Sequence, residues 1–449
     1  MQPMPAAPHD VDDDLRTEVL SLCQALIRVD TTNPPGRETA AAVLLRDYLE
    51  AAGVACELVA RDPDRANLVA RIPGSGGGPS LAFVGHLDVV PADPRDWTHP
   101  PFDAVVDDGY LYGRGAVDMK NELAARVVAM ARLARSGFRP RGDLWLLAVA
   151  DEEDGSADVG MRWLLEHRPD IRPDFALNEG DGLRLELTDG RAVMGIAVGD
   201  KGTYPARVTA IGEAAHASMP AQGRNAVPLL AELLRRVGSG LPDPKPSPVV
   251  DRMVAVLTGR SVPDDADGYR SALAVAAAMH PALEHLVPAV AGITMAPTML
   301  TGSSKRNVMP GRASVELDCR ILPGTTEADV EREVRERLGT GIPYELDWPE
   351  QLVAGSSSPA EGPLFDVCQA FMDTADPGTV LLPALSTGFT DSVYLRAACG
   401  TVAYGFSPML ATPADVALAG FHAKDERVHV DDLQLAVRFH EQAARALLG

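Results

Sequence analysis

An apolar run at residues 146–150 passes without a break into Asp151, Glu152, Glu153 and Asp154. The run reads as a strand, and four adjacent carboxylates at its end repel one another. On a solvated loop they would cost little. Held close to a sheet they call for a counter-charge, which a divalent cation would supply. Adjacent glutamates also suit a division of labour, one holding a cation and the other moving protons.

The rest of the chain gives that strand its setting. Helical spacing over residues 15–29 stops at the breaker TTNPPG, and a second helix over 39–52 closes at Gly53. Apolar runs at 54–60, 67–72, 80–86, 143–150, 175–177 and 193–198 alternate with helical stretches at 119–136 and 159–167. Such alternation predicts an α/β layer with a mostly parallel sheet. Near Gly199 the character changes. Alternating strands (YPARVTAIG, ASVELDCRI) and helices over 227–237 and 327–338 predict an inserted α+β unit. Within it, 241–288 is rich in Pro and Ala and reads as a helical insert with loops. After Pro359 the helix–strand–helix pattern returns and ends on a helix over 431–448. A chain of 449 residues is too long for one core. The expectation is one domain in two segments, 1–199 and 351–449, interrupted by a second at 200–350.

The formal charge of -22 argues against nucleic acid and anionic membrane surfaces as partners. Five scattered cysteines without a CxxC pair argue against a disulfide framework or a thiolate metal site. The start, MQPMPAAPHDVDDD, lacks the basic and apolar regions of a signal peptide and reads as a short disordered leader to about Asp13. A cytoplasmic protein is expected.

Four more segments resemble the first in kind. GHLDVVP ends an apolar strand on His86, with Asp88 two positions on. Beyond the carboxyl end of a strand, a His can take a metal and a carboxylate can orient it; a hydrogen-bonded polar residue is the plain alternative. In GRGAVDMKNE, Asp118 stands before a helix and could equally be its cap. FALNEGDG puts Glu179 just past a strand. AGFHAKDERV puts His422 in a loop before the last helix. Each is ordinary alone, whereas five such ends, each offering a His or a carboxylate, are hard to obtain from solvated loops.

The set, in this order and over nearly the whole chain, resembles the M20 metallopeptidases, which include carboxypeptidases, aminoacylases, acetylornithine deacetylases and succinyl-diaminopimelate desuccinylases. The resemblance implies a cut at an amide bond next to a free carboxylate. It implies two divalent ions, zinc or else cobalt or manganese, bridged by Asp118. His86 and Glu179 would complete one site, Glu153 and His422 the other. Glu152 would be the general base and acid, and Asp88 the partner of His86. The insert would be a lid used for substrate binding and homodimerisation. Within it His216 would stabilise the oxyanion, and Asn307 and Arg320 would hold the substrate carboxylate. A cis peptide would follow Asp118. Substrates would be acylated amino acids or short peptides. The chain departs from the pattern in a longer lid, in Glu rather than Asp at position 179, and in TGFTDS, where Gly388, Thr390 and Asp391 match the family's Gly-Gly-Thr-Asp loop only in part.

Three other readings compete. A co-catalytic aminopeptidase would share the ligands but has no use for Arg320. A non-catalytic binding protein on the same fold should have lost Glu152 or a ligand. A dinucleotide enzyme needs a GxGxxG turn, which GRGAVD is not.

Overall fold

A computed structural model describes residues 12–238 and 243–449. The expected leader falls almost wholly outside the described residues, as does Leu241, the first residue of the predicted insert. The chain divides into two compact units. One comprises residues 1–197, 358–382 and 390–449; the other comprises 198–357 and 383–389.

The first unit is built on a mixed sheet. Its order is Ala55–Val59, Asn67–Ile72, Leu144–Val149, Leu81–His86, Phe175–Asn178, Val402–Gly405, Ala192–Asp200. The middle four strands are parallel and the flanking pairs antiparallel. Leu81–His86 and Leu144–Val149 are buried at every position, which is why they read as unbroken apolar runs rather than alternating ones. One face packs on Met161, Leu164 and Leu165 of a short helix. The helix Lys120–Arg135 is buried along nearly its whole length. Register fixes which ends meet. His86 pairs with Val149, and Phe83 with Leu177. The residues that follow, His86, Asp151–Glu153 and Glu179, therefore emerge at one edge, where open α/β sheets hold their ligands.

The second unit is a five-stranded antiparallel sheet containing Thr294–Thr301, Arg312–Ile321, Ala206–Ile211 and Tyr344–Asp347. Arg312–Ile321 alternates strictly, its inward residues Ala313, Val315, Leu317, Cys319 and Ile321 packing on the helices Ala226–Val237 and Glu327–Leu338. The predicted insert folds as three helices, Pro248–Thr258, Ala266–Ala277 and Pro281–Ala291.

Among the elements that escape the sequence pattern are the hairpin Val105–Asp107/Tyr110–Tyr112 and the strand Thr294–Thr301, in which Pro297 disguises the strand and the register shifts. The helix after Asp118 starts at Lys120 with Met119 as its cap, so Asp118 is not the N-cap its position allowed. No helix among the described residues is long and apolar enough to cross a membrane.

Candidate metal centre

Each group at the sheet edge is placed by a different piece of chain. His86 closes its strand and is 1% exposed. Its Nε2 lies 3.0 Å from Asp118 Oδ1 and 3.4 Å from Glu179 Oε2. The other oxygen of Asp118, Oδ2, lies 3.2 Å from His422 Nε2, which is 3.1 Å from Glu153 Oε2. Asp118 thus stands between two histidines with one oxygen toward each. Glu152 shares the His86 and Glu179 corner, their ligand atoms lying within 4.8 Å of one another.

The four carboxylates after the strand go separate ways. Asp151, at φ 63°, turns inward; Asp tolerates this left-handed region better than most residues. There it accepts from Asn33 Nδ2 at 3.1 Å and lies 3.4 Å from Arg65. Glu152 and Glu153 face the site, and exposed Asp154 pairs with Ser156. Asp88 stands beside His86 and also reaches further. His86 Nδ1 meets the Asp88 backbone carbonyl at 2.9 Å, whereas the carboxylate oxygen is 3.5 Å away. That carboxylate also accepts the amide N–H groups of Glu152, at 3.2 Å, and Glu153, at 3.1 Å, and Nδ2 of Asn33 at 2.9 Å. It orients the glutamate pair.

Glu426, four residues past His422, had no assigned role. It is fully buried and accepts from Arg114 at 2.6 Å and from the amides of Gly115 at 3.0 Å, Val117 at 2.7 Å and Asp118 at 2.9 Å. One side chain thereby fixes the turn that presents Asp118 to the loop that presents His422. The Asp118–Met119 peptide is cis.

The electrostatics are those of an acidic pocket that needs positive charge. Burial pushes Glu152 well above the ordinary carboxyl range, and Glu179 adds to the rise. Burial likewise raises Glu179 to about 6. Hydrogen bonds to Asp118 and Glu153 raise His422 to about 10. Glu153 Oε1 is fully buried without a hydrogen-bond partner. An orphaned carboxylate oxygen among crowded acids and two imidazoles is a donor set suited to hard or borderline divalent cations.

The other predicted positions lie elsewhere. In the second unit, Ala215–His216 pairs with Val308–Met309, which brings His216 beside Asn307; His216 Nδ1 meets Ser218 Oγ at 2.8 Å. Arg320 forks onto Asp318 at 2.7 and 3.0 Å. A Cβ built at Gly388 would lie 4.0 Å from the Arg320 guanidinium. Thr390 is buried in the first unit, ahead of the helix Ser392–Cys399.

The sequence model of peptidase family M20/M25/M40 matches residues 82–446. The chain belongs to this family. A succinyl-diaminopimelate desuccinylase of Alkalilimnicola ehrlichii is 30% identical over 440 residues, 96% of this chain and all of that one. Among solved structures, an M20 metallo-carboxypeptidase from Sulfolobus solfataricus has a TM-score of 0.71 at 19% identity, covering 96% of this chain and 99% of its own. Human carnosine dipeptidase 1 gives 0.67 at 16% identity, covering 99% and 100%. This M20 chain is therefore an enzyme of a metallopeptidase and amidohydrolase family. Membership implies a dinuclear metal site and small amide or peptide substrates.

Proposed function

We propose that this M20 enzyme hydrolyses the amide bond of a small N-acyl amino acid or short peptide whose scissile bond lies beside a free carboxylate. The observation that carries the reading is Asp118, with one oxygen toward His86 and the other toward His422. His86, Asp118 and Glu179 would hold one divalent ion; Glu153, Asp118 and His422 would hold the second. Zinc fits the mixed N/O set, as do cobalt and manganese. Bound there, the ions would supply Lewis acidity and make water a nucleophile at neutral pH.

Glu152 takes the proton of the attacking water and returns it to the leaving amine. Burial raises its pKa, which makes it a stronger base toward the proton of the water. Asp88 holds the Glu152 and Glu153 amides and so keeps the two side chains in their separate roles. His216 stabilises the developing oxyanion. Arg320 exchanges Asp318 for the substrate carboxylate, supported by Asn307, while Gly388 and Thr390 border the substrate. The likeness to desuccinylases makes a succinylated diamino acid the first candidate.

The second unit serves as a lid and joins two copies. Support comes from Thr294–Thr301, which pairs only with Arg312–Ile321 among the described residues and exposes Met299 at 63% and Leu300 at 65%. The scattered cysteines, all free, fit a cytoplasmic setting.

The test is a screen of metal-loaded protein against N-acyl amino acids, N-succinyl diamino acids and dipeptides, each with a free or an amidated carboxylate. Hydrolysis confined to the free acids is expected. Equal hydrolysis of both forms would replace this reading with the aminopeptidase one.

A further inference from the structure

Beneath the sheet edge lies a buried charged group that the reaction does not use. Glu122 and Arg126 stand one turn apart on the helix Lys120–Arg135, so their side chains share a face. Arg126 is fully buried, and its guanidinium is tied on several sides. Nη2 donates to Glu122 at 2.5 Å and to the carbonyl of Asn178 at 2.9 Å. Nη1 donates to the carbonyl of Val84, and Nε to His440 Nε2 at 3.2 Å. His440 Nδ1 meets the Ala436 carbonyl at 2.7 Å, which fixes the ring as a neutral acceptor for Arg126.

The two carbonyls decide what this fork does. The neighbouring parallel strands Leu81–His86 and Phe175–Asn178 pair through Phe83 and Leu177 and no further. Val84 and Asn178 are the next residues on each. Arg126 therefore bridges the strands where their own ladder stops. One residue past Asn178 is Glu179, and two past Val84 is His86, whose ring and carboxylate stand 3.4 Å apart. Other groups hold the rest of the site: Glu426 accepts from the Asp118 amide, and Asp88 accepts from the Glu153 amide.

We propose that Arg126 is a positioning residue for the His86 and Glu179 half of the metal centre, with Glu122 as its counter-charge and His440 as its acceptor. The planar fork reaches four acceptors, both carbonyls, Glu122 and His440, which the three donors of a lysine ammonium cannot match. Glu122 keeps the guanidinium from being a lone buried cation. The inference rests on the two-metal reading above.

The test is cobalt binding to the full chain after chelation, followed by calorimetry and visible absorption, with melting temperature recorded for each variant. The wild type should take up two ions. Arg126→Lys should keep one at wild-type affinity and bind the other about 10–100-fold more weakly, the range for loss of an outer-shell partner. The weakened ion should be the one lost in His86→Ala rather than in His422→Ala. If Arg126→Lys does not fold, Glu122→Gln/Arg126→Met, which removes the charges together, should give the same one-site loss. Equal weakening of both ions, weakening of the His422 ion alone, or no change would overturn the inference while leaving two-metal binding intact. A wild-type chain that binds fewer than two ions would overturn the metal reading, and the inference with it.

Discussion

The two sheets bury themselves in different ways, and their charged residues carry different weight as a result. In the first unit the middle strands are covered on both faces and place their polar residues beyond their ends. In the second, Arg312–Ile321 covers one face and leaves Glu316, Asp318 and Arg320 on the other. A charge at the end of a doubly buried strand has to be paid for by a specific partner. A charge on an open face can pair with its neighbour at little cost or gain, as Arg320 does with Asp318. On the function proposed above, the first unit is a preorganised site and the second holds groups that exchange partners.

The sharpest way to break that contrast is to empty the first site. Chelation should abolish hydrolysis, with zinc, cobalt or manganese restoring it; full activity in protein shown metal-free by elemental analysis would end the two-metal mechanism. Next, Glu152→Gln should cut kcat by about 10²–10⁴-fold with metal content unchanged. Near-wild-type turnover would put the base elsewhere. In the second unit, where exchange of partners is the claim, Arg320→Ala should raise KM by roughly 10–100-fold, from the loss of a hydrogen-bonded charge. Arg320→Lys should recover part of the loss, and amidated substrates should be indifferent to either change. A kcat effect without a KM effect would show that Arg320 does not read the substrate. Glu426→Gln should weaken metal binding about tenfold through Asp118; calorimetry with unchanged affinity would show that the backbone alone sets the Asp118 turn. The smallest effect concerns assembly. Leu300→Lys should turn a dimer into a monomer by sedimentation without altering metal content, and a dimer that survives would move the interface off this strand.

The same contrast explains what could be read in advance. The buried strands and the helices over 227–237 and 327–338 follow from apolar runs and helical spacing, and the structure differs from them by a residue or so at most ends. The groups at the metal centre were legible because a His or carboxylate interrupts an apolar run at His86, Glu152, Glu153 and Glu179. Glu426 was not, since three of its four partners are backbone amides and leave no trace in side-chain pattern. Arg126 was hidden by the opposite effect: within a helix of charged and apolar residues it looks like any solvated arginine, and only tertiary packing buries it. The strand Thr294–Thr301 was lost to Pro297, which an edge strand tolerates and an inner strand does not.

Glu426 also fixes an order in time. The turn around Asp118 rests on a carboxylate that lies 308 residues further along. At about 5–20 residues per second, the ribosome takes roughly 15–60 s to travel that distance. Throughout that interval the nascent chain holds Asp118 without its brace and without His422. The reactive corner can thus close only after Glu426 has emerged, late in synthesis and just ahead of the last helix, Val430–Leu448.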